Sequence, residues 1–160
     1  MLTLVSALSQ WRHRRGRRVP RRQPAAARRR VPPGLDTEQF LSLARLSFLR
    51  LQAAWDAGDL AALERLTTGP LLAELREQLQ ARGSGVNRTE VIDLQASLLA
   101  FEELGEAFVA SVEFTGLVRE HDGAAPADFR ELWLLTHLKP AGDTPEPPEA
   151  WQLAQVQALA

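Results

Sequence analysis

From residue 37 to residue 57, apolar and small side chains recur at three- and four-residue spacing: Phe40, Leu43, Ala44, Ser47, Phe48, Leu51, Ala54 and Trp55. On a 3.6-residue repeat these positions form one wide stripe, which predicts a helix with a single buried face. Asp36-Thr37-Glu38 opens it, offering a side-chain oxygen to the first free amides and acidic charge to the positive end of the helix dipole. Gly58 ends it. Asp59 then caps a short second helix carrying Leu60, Leu63 and Leu66. Thr67 and Thr68 precede a third helix with Pro70 in its first turn. Leu71, Leu72, Leu75 and Leu79 give its buried face, and Arg82-Gly83-Ser84-Gly85 closes it.

Beyond Gly85 the period changes from 3.6 to 2, the repeat of a strand with one buried face. Residues 90–101 alternate, with Ile92, Leu94, Ala96, Leu98 and Ala100 on one face and Asp93, Gln95 and Ser97 on the other. Residues 107–118 set Phe108, Ala110, Val112, Phe114 and Val118 against Ser111, Glu113 and Thr115. Residues 128–138 set Phe129, Trp133 and Leu135 against Leu132, Leu134 and Leu138, and residues 151–159 form a last strand with Trp151 and Leu153. Gly105 and Gly123-Ala124-Ala125-Pro126 mark hairpin connections, and residues 139–149 are a proline-rich loop. Three helices followed by a four-stranded meander predict an α+β fold, with the helices on one face of a curved antiparallel sheet.

Composition changes this picture at the N-terminus. The chain has 160 residues and a formal net charge of −1. Residues 1–34 hold ten arginines and no acid, a net +10, whereas residues 35–160 hold nine basic and twenty acidic side chains, a net −11. The domain boundary is therefore expected near residue 35, with residues 1–34 as an Arg/Pro-rich basic tail and residues 35–160 as the folded domain. Low hydrophobicity, like charge and four prolines leave the tail nothing to pack. Its arginines, Arg12, Arg14, Arg15, Arg17, Arg18, Arg21, Arg22, Arg28, Arg29 and Arg30, suit an anionic lipid surface, where each basic residue adds about 1 kcal/mol. They also suit nucleic-acid phosphates, although only Trp11 supplies an aromatic for base stacking. A solvated tether is the third reading. Residues 1–11 are mildly apolar and end in Trp11 and the arginine run, the order found at the cytoplasmic end of a membrane helix. Charge after the apolar stretch is the reverse of a secretory signal.

The chemistry of the chain is narrow. Without Cys there is no disulfide, thiol nucleophile or thiolate metal site, and without Tyr there is no phenol acid. His13, His121 and His137 stand at no ligand spacing, so no metal is expected. No run of 18 apolar residues is present to span a bilayer. Glu102, Glu103 and Glu106 cluster at a hairpin as a solvated, edge-protecting turn. Asn87-Arg88-Thr89 matches a glycosylation acceptor, a triplet common by chance.

Several strings, taken in order, resemble the Tim44-like domain family. Leu51-Gln52-Ala53-Ala54-Trp55-Asp56-Ala57-Gly58-Asp59-Leu60 looks like its first helical junction, and Leu66-Thr67-Thr68 like its next element. Ala110-Ser111-Val112-Glu113-Phe114 with Val118-Arg119-Glu120 resembles its second strand, Phe129-Arg130-Glu131-Leu132-Trp133 its third, and Trp151-Gln152-Leu153-Ala154 with Val156-Gln157 its last. The resemblance spans about residues 36–159. The family is named for a peripheral subunit of the mitochondrial inner-membrane import motor and includes bacterial homologues. It implies a fold related to the nuclear-transport-factor-two and cystatin-like class. It also implies a non-enzymatic role, docking at the inner face of a membrane, with an apolar pocket between helices and sheet. The last strand departs from the family in having Gln155 where glycine is usual. Bacterial relatives often carry membrane helices before the domain. Residues 1–34 resemble the end of such a region, so a longer apolar frame upstream of Met1 is an expectation.

Phe48, Trp55, Phe114, Trp133 and Trp151 are the candidates to line a pocket for a lipid or acyl chain, though the same spacing fits plain core. His137 with Asp93 is the one conceivable polar pair for an enzyme of this fold class, and an outward or locally satisfied His137 is the plainer reading. The expected function is thus a non-catalytic adaptor at the cytoplasmic face of a bacterial inner membrane, bound to anionic lipid and a protein partner, with no cofactor. The alternatives are a ribosome- or nucleic-acid-associated module using the arginine arm, or a small-molecule enzyme of the same fold class.

Overall fold

The computed structural model describes residues 36–82, 88–120, 123–138 and 151–159. The basic segment, the Gly83–Gly85 closure, Asn87, His121 and the proline-rich loop lie outside these residues. Three helices, α1 (Thr37–Ala57), α2 (Leu60–Leu66) and α3 (Gly69–Arg82), precede four strands, β1 (Glu90–Leu104), β2 (Ala107–Arg119), β3 (Ala127–Leu138) and β4 (Gln152–Ala158). The strands form one antiparallel sheet in the order β1-β2-β3-β4, each paired with its neighbour in sequence. The class is α+β, as the change of period predicts.

Each boundary has a local cause. The Asp36 carboxylate accepts the Glu38 amide at 2.9 Å and caps α1. Gly58 takes φ 68°, a left-handed conformation that glycine adopts without a Cβ penalty, and turns the chain out of α1. Asp59 caps α2 through the Ala62 amide at 3.1 Å. Gly105, at φ 58°, makes the tight link between β1 and β2.

The core lies between the helices and one sheet face. It takes Phe40, Phe48, Leu51 and Trp55 from α1, Leu63 from α2 and Leu75 from α3, against Phe101, Val112, Phe114, Trp133, Leu135 and Leu153. The stripe read along α1 is the face it buries. Strand β1 departs from its predicted alternation. Ile92 and Leu99 are extra residues in the β1–β2 ladder, which steps from Val91/Val118 to Asp93/Leu117 and from Leu98/Val112 to Ala100/Ser111. Each bulge moves the next side chain to the other face. The inward set is therefore Val91, Leu94, Ala96, Leu98 and Phe101, while Ile92 is exposed and Ala100 lies outside the core set.

Gly116 of β2 pairs with Leu94 close to the first bulge. A Cβ at this position would overlap the Asp93 carbonyl and crowd the Phe129 ring. The close approach of two backbones is what requires glycine here.

Candidate functional site

The five aromatic side chains selected from the sequence fall into three groups. Phe48, Phe114 and Trp133 meet, with centroid separations of 5.0 Å for Phe48–Phe114, 4.8 Å for Phe48–Trp133 and 5.1 Å for Phe114–Trp133. Phe129 stacks on Phe48 at 5.6 Å. Trp151 stands in a second group, 5.0 Å from Phe40, 5.9 Å from Phe101 and 4.9 Å from His137. Trp55 is at the C-terminal end of α1, beneath the Arg82 guanidinium at 5.0 Å. Phe48, Trp55, Phe114 and Trp133 are buried, and Trp151 is half-buried.

Two polar residues share the inner face with these rings. Glu131 is 0% exposed. Its Oε2 accepts the Trp133 Nε1–H at 2.9 Å, and its Oε1 has no hydrogen-bond partner among the described residues. Burial pushes the carboxyl up to about 7, only partly opposed by the indole hydrogen bond. His137 is also buried, between Phe108 and Trp151, which removes the outward half of the plainer reading and leaves the locally satisfied half. The His137–Asp93 pair is not formed, because Asp93 is exposed beside Leu117 on the outer face. The sequence carried a signal for both inner-face residues: the alternation through Phe129, Trp133 and Leu135 continues through positions 131 and 137.

The C-terminal end of α1 is held by a polar clamp. Arg82 of α3 donates from Nη1 to the Trp55 carbonyl at 2.8 Å and from Nη2 to the Asp56 carbonyl at 3.4 Å, satisfying carbonyls at the end of α1. Asp56 accepts the Thr89 amide at 2.7 Å, the Thr89 hydroxyl at 3.1 Å and Gln52 Nε2 at 3.0 Å, tying α1 to the chain that enters β1. On the solvent side of the α1–α2 hairpin is a groove of about 340 Å³, with alanines 53, 54, 57 and 62 in its lining and Arg50 and Arg65 beside them. Sequence periodicity does not reveal it, because it depends on how α1 and α2 meet.

The ten arginines at positions 12–30 lie outside the described residues. Among the described residues, no helix is long and apolar enough to cross a membrane, and no cluster of three or more His, Asp or Glu is placed to hold a metal.

The sequence profile of the Tim44-like domain family matches residues 22–158, starting inside the arginine- and proline-rich segment. No curated protein matches the chain by sequence. In three dimensions the chain is similar to the intermembrane-space region of the chloroplast protein ARC6, with 11% identity and a TM-score of 0.49 over 79% of this chain and 98% of that one. It is also similar to a nuclear transport factor 2-like superfamily protein from Salmonella enterica serovar Typhimurium, with 11% identity and a TM-score of 0.42 over 78% of this chain and 92% of that one.

Proposed function

This chain belongs to the Tim44-like domain family, and from that premise we propose that it is a non-catalytic adaptor at the cytoplasmic face of a bacterial inner membrane. The basic segment approaches anionic lipid, and the α+β domain binds a protein partner. The observation that carries this reading is the division of charge, +10 in residues 1–34 beside −11 in residues 35–160. An anionic surface attracts the first part and repels the second, so the domain is tethered near the surface rather than laid flat on it. The absence of Cys and Tyr supports binding over catalysis.

Vesicle co-sedimentation tests the proposal. The full chain binds vesicles containing anionic lipid and not zwitterionic ones. Binding falls steeply as salt rises through the physiological range, and deletion of residues 1–34 abolishes it. Salt-insensitive binding by residues 35–160 overturns the assigned role of the arm. RNA binding of comparable strength by the same arm favours the nucleic-acid reading.

A further inference from the structure

Helix α1 has a second apolar ridge that lies outside the core of the described residues. Leu46 and Leu49 are 39% and 44% exposed, on a helix that already buries a wide stripe on another side. With Ala53 and Ala57 they stand at spacings of three, four and four, so they share one side of the helix. That ridge is about 17 Å long. It runs into the α1–α2 groove, which Ala53 and Ala57 also line. Alanine at those positions and at 62 keeps the floor low, so another backbone can approach closely. Arg50 and Arg65 border the floor, and Asp59, the acid of this groove, is engaged as the cap of α2.

The geometry points to a docking site for an amphipathic helix of a protein partner, about three turns long, with its apolar face on Leu46, Leu49 and Ala53 and acidic side chains against Arg50 and Arg65. The recognition is of the helix-in-groove kind, with apolar anchors at helical spacing and flanking charge setting orientation. Charge selects the occupant. Residues 35–160 are strongly acidic as a whole, so apart from the basic arm the two arginines of this groove give an acidic helix a favoured place to land. The same net charge opposes pressing this face onto an anionic bilayer. The inference rests on the adaptor reading and specifies where its protein partner binds.

The test uses the full chain and two labelled 14-residue peptides with leucines at the same helical spacing, one with glutamates and one with lysines at the remaining positions. A third peptide keeps the leucine–glutamate composition in scrambled order. In fluorescence anisotropy the leucine–glutamate helix binds about tenfold more tightly than either control. The double variant Arg50→Glu/Arg65→Glu loses about tenfold, a change of about 1.4 kcal/mol. Ala53→Trp, which fills the groove without altering charge, loses a similar factor. Arg50, Ala53 and Arg65 are all on exposed surface, and unchanged thermal melts confirm folding of the variants. Equal binding of ordered and scrambled peptides, or indifference to Ala53→Trp, assigns the binding to the arginine arm and overturns the site. Loss of anionic-vesicle binding in the double variant makes the face a lipid surface and overturns it too. Vesicle binding without peptide binding sinks the groove and leaves the membrane adaptor standing. Peptide binding without vesicle binding does the reverse.

Discussion

Glu131 makes the fold sensitive to pH in a direction opposite to that of most carboxylates. Its carboxyl titrates near 7 in the folded protein, against 4.5 for an ordinary glutamate. The register places Phe114 on one side of it and Ala158 on the other, neither able to compensate a negative charge. At a pH between these two values the folded state holds a proton that the unfolded chain has released. Stability therefore falls as pH rises through this window, because the native state binds more protons. The contribution is fully present below about 4.5 and is lost by about 7. At 1.36 kcal/mol per pKa unit the loss is about 3 kcal/mol, or about 10 °C in melting temperature for a domain of this size. Glu131→Gln keeps the shape and an acceptor for the Trp133 indole but cannot ionise. Melts of the two proteins at intervals from about pH 4 to about pH 8 measure the effect. The variant is expected to match the native protein at the acid end and to exceed it increasingly toward neutrality. Titrations elsewhere in the chain are common to both proteins and cancel in the difference. Parallel curves across the whole window would refute the account of Glu131 as a carboxyl held neutral by burial.

Substitutions at three further positions test the scaffold. Asp56→Ala removes an acceptor of three hydrogen bonds, two from Thr89 at the entry to β1 and one from Gln52 within α1. It should cost about 2–3 kcal/mol in denaturant unfolding, with Asp56→Asn, which keeps one acceptor oxygen, costing less; a loss below about 0.5 kcal/mol would mean that water replaces the clamp. Gly116→Ala drives a methyl into the Asp93 carbonyl and should cost about 2 kcal/mol or more. Gly69→Ala meets open space at the start of α3 and should be neutral, so equal effects at the two glycines would contradict the close-approach argument.

The helices were legible because their stripe is a direct image of burial: Phe40, Ala44, Phe48, Leu51 and Trp55 are inward in the sequence pattern and in the fold. Strands β2 and β3 were legible for the same reason. Strand β1 was misread at its ends because a bulge adds one residue to a ladder, and neither Ile92 nor Leu99 differs in type from a residue in register. Glu131 and His137 sat on a readable inner parity, but a charged residue there resists assignment to a core. Four of the five aromatic candidates are buried and Trp151 is half-buried, and their division into separate groups depends on the crossing of helices over the sheet. The groove is a property of the α1–α2 angle, although Leu46 and Leu49 were available as a second stripe.

The bulges of β1 have a meaning for how copies of this protein coexist. A strand of 15 residues at the margin of a sheet is a long row of amide and carbonyl groups on which a neighbouring chain could crystallise as cross-β. Ile92 and Leu99 interrupt that row, and a bulge bends and twists a strand locally, which blunts an edge as a template. The opposite margin is treated differently: β4 is only seven residues long, and Thr67 and Thr68 lie along it, with the Thr68 amide donating to the Leu153 carbonyl at 3.0 Å. One margin is disrupted and the other occupied. Removing Leu99 to restore an even ladder would thus gain pairing within one molecule and open a nucleus for fibres between many.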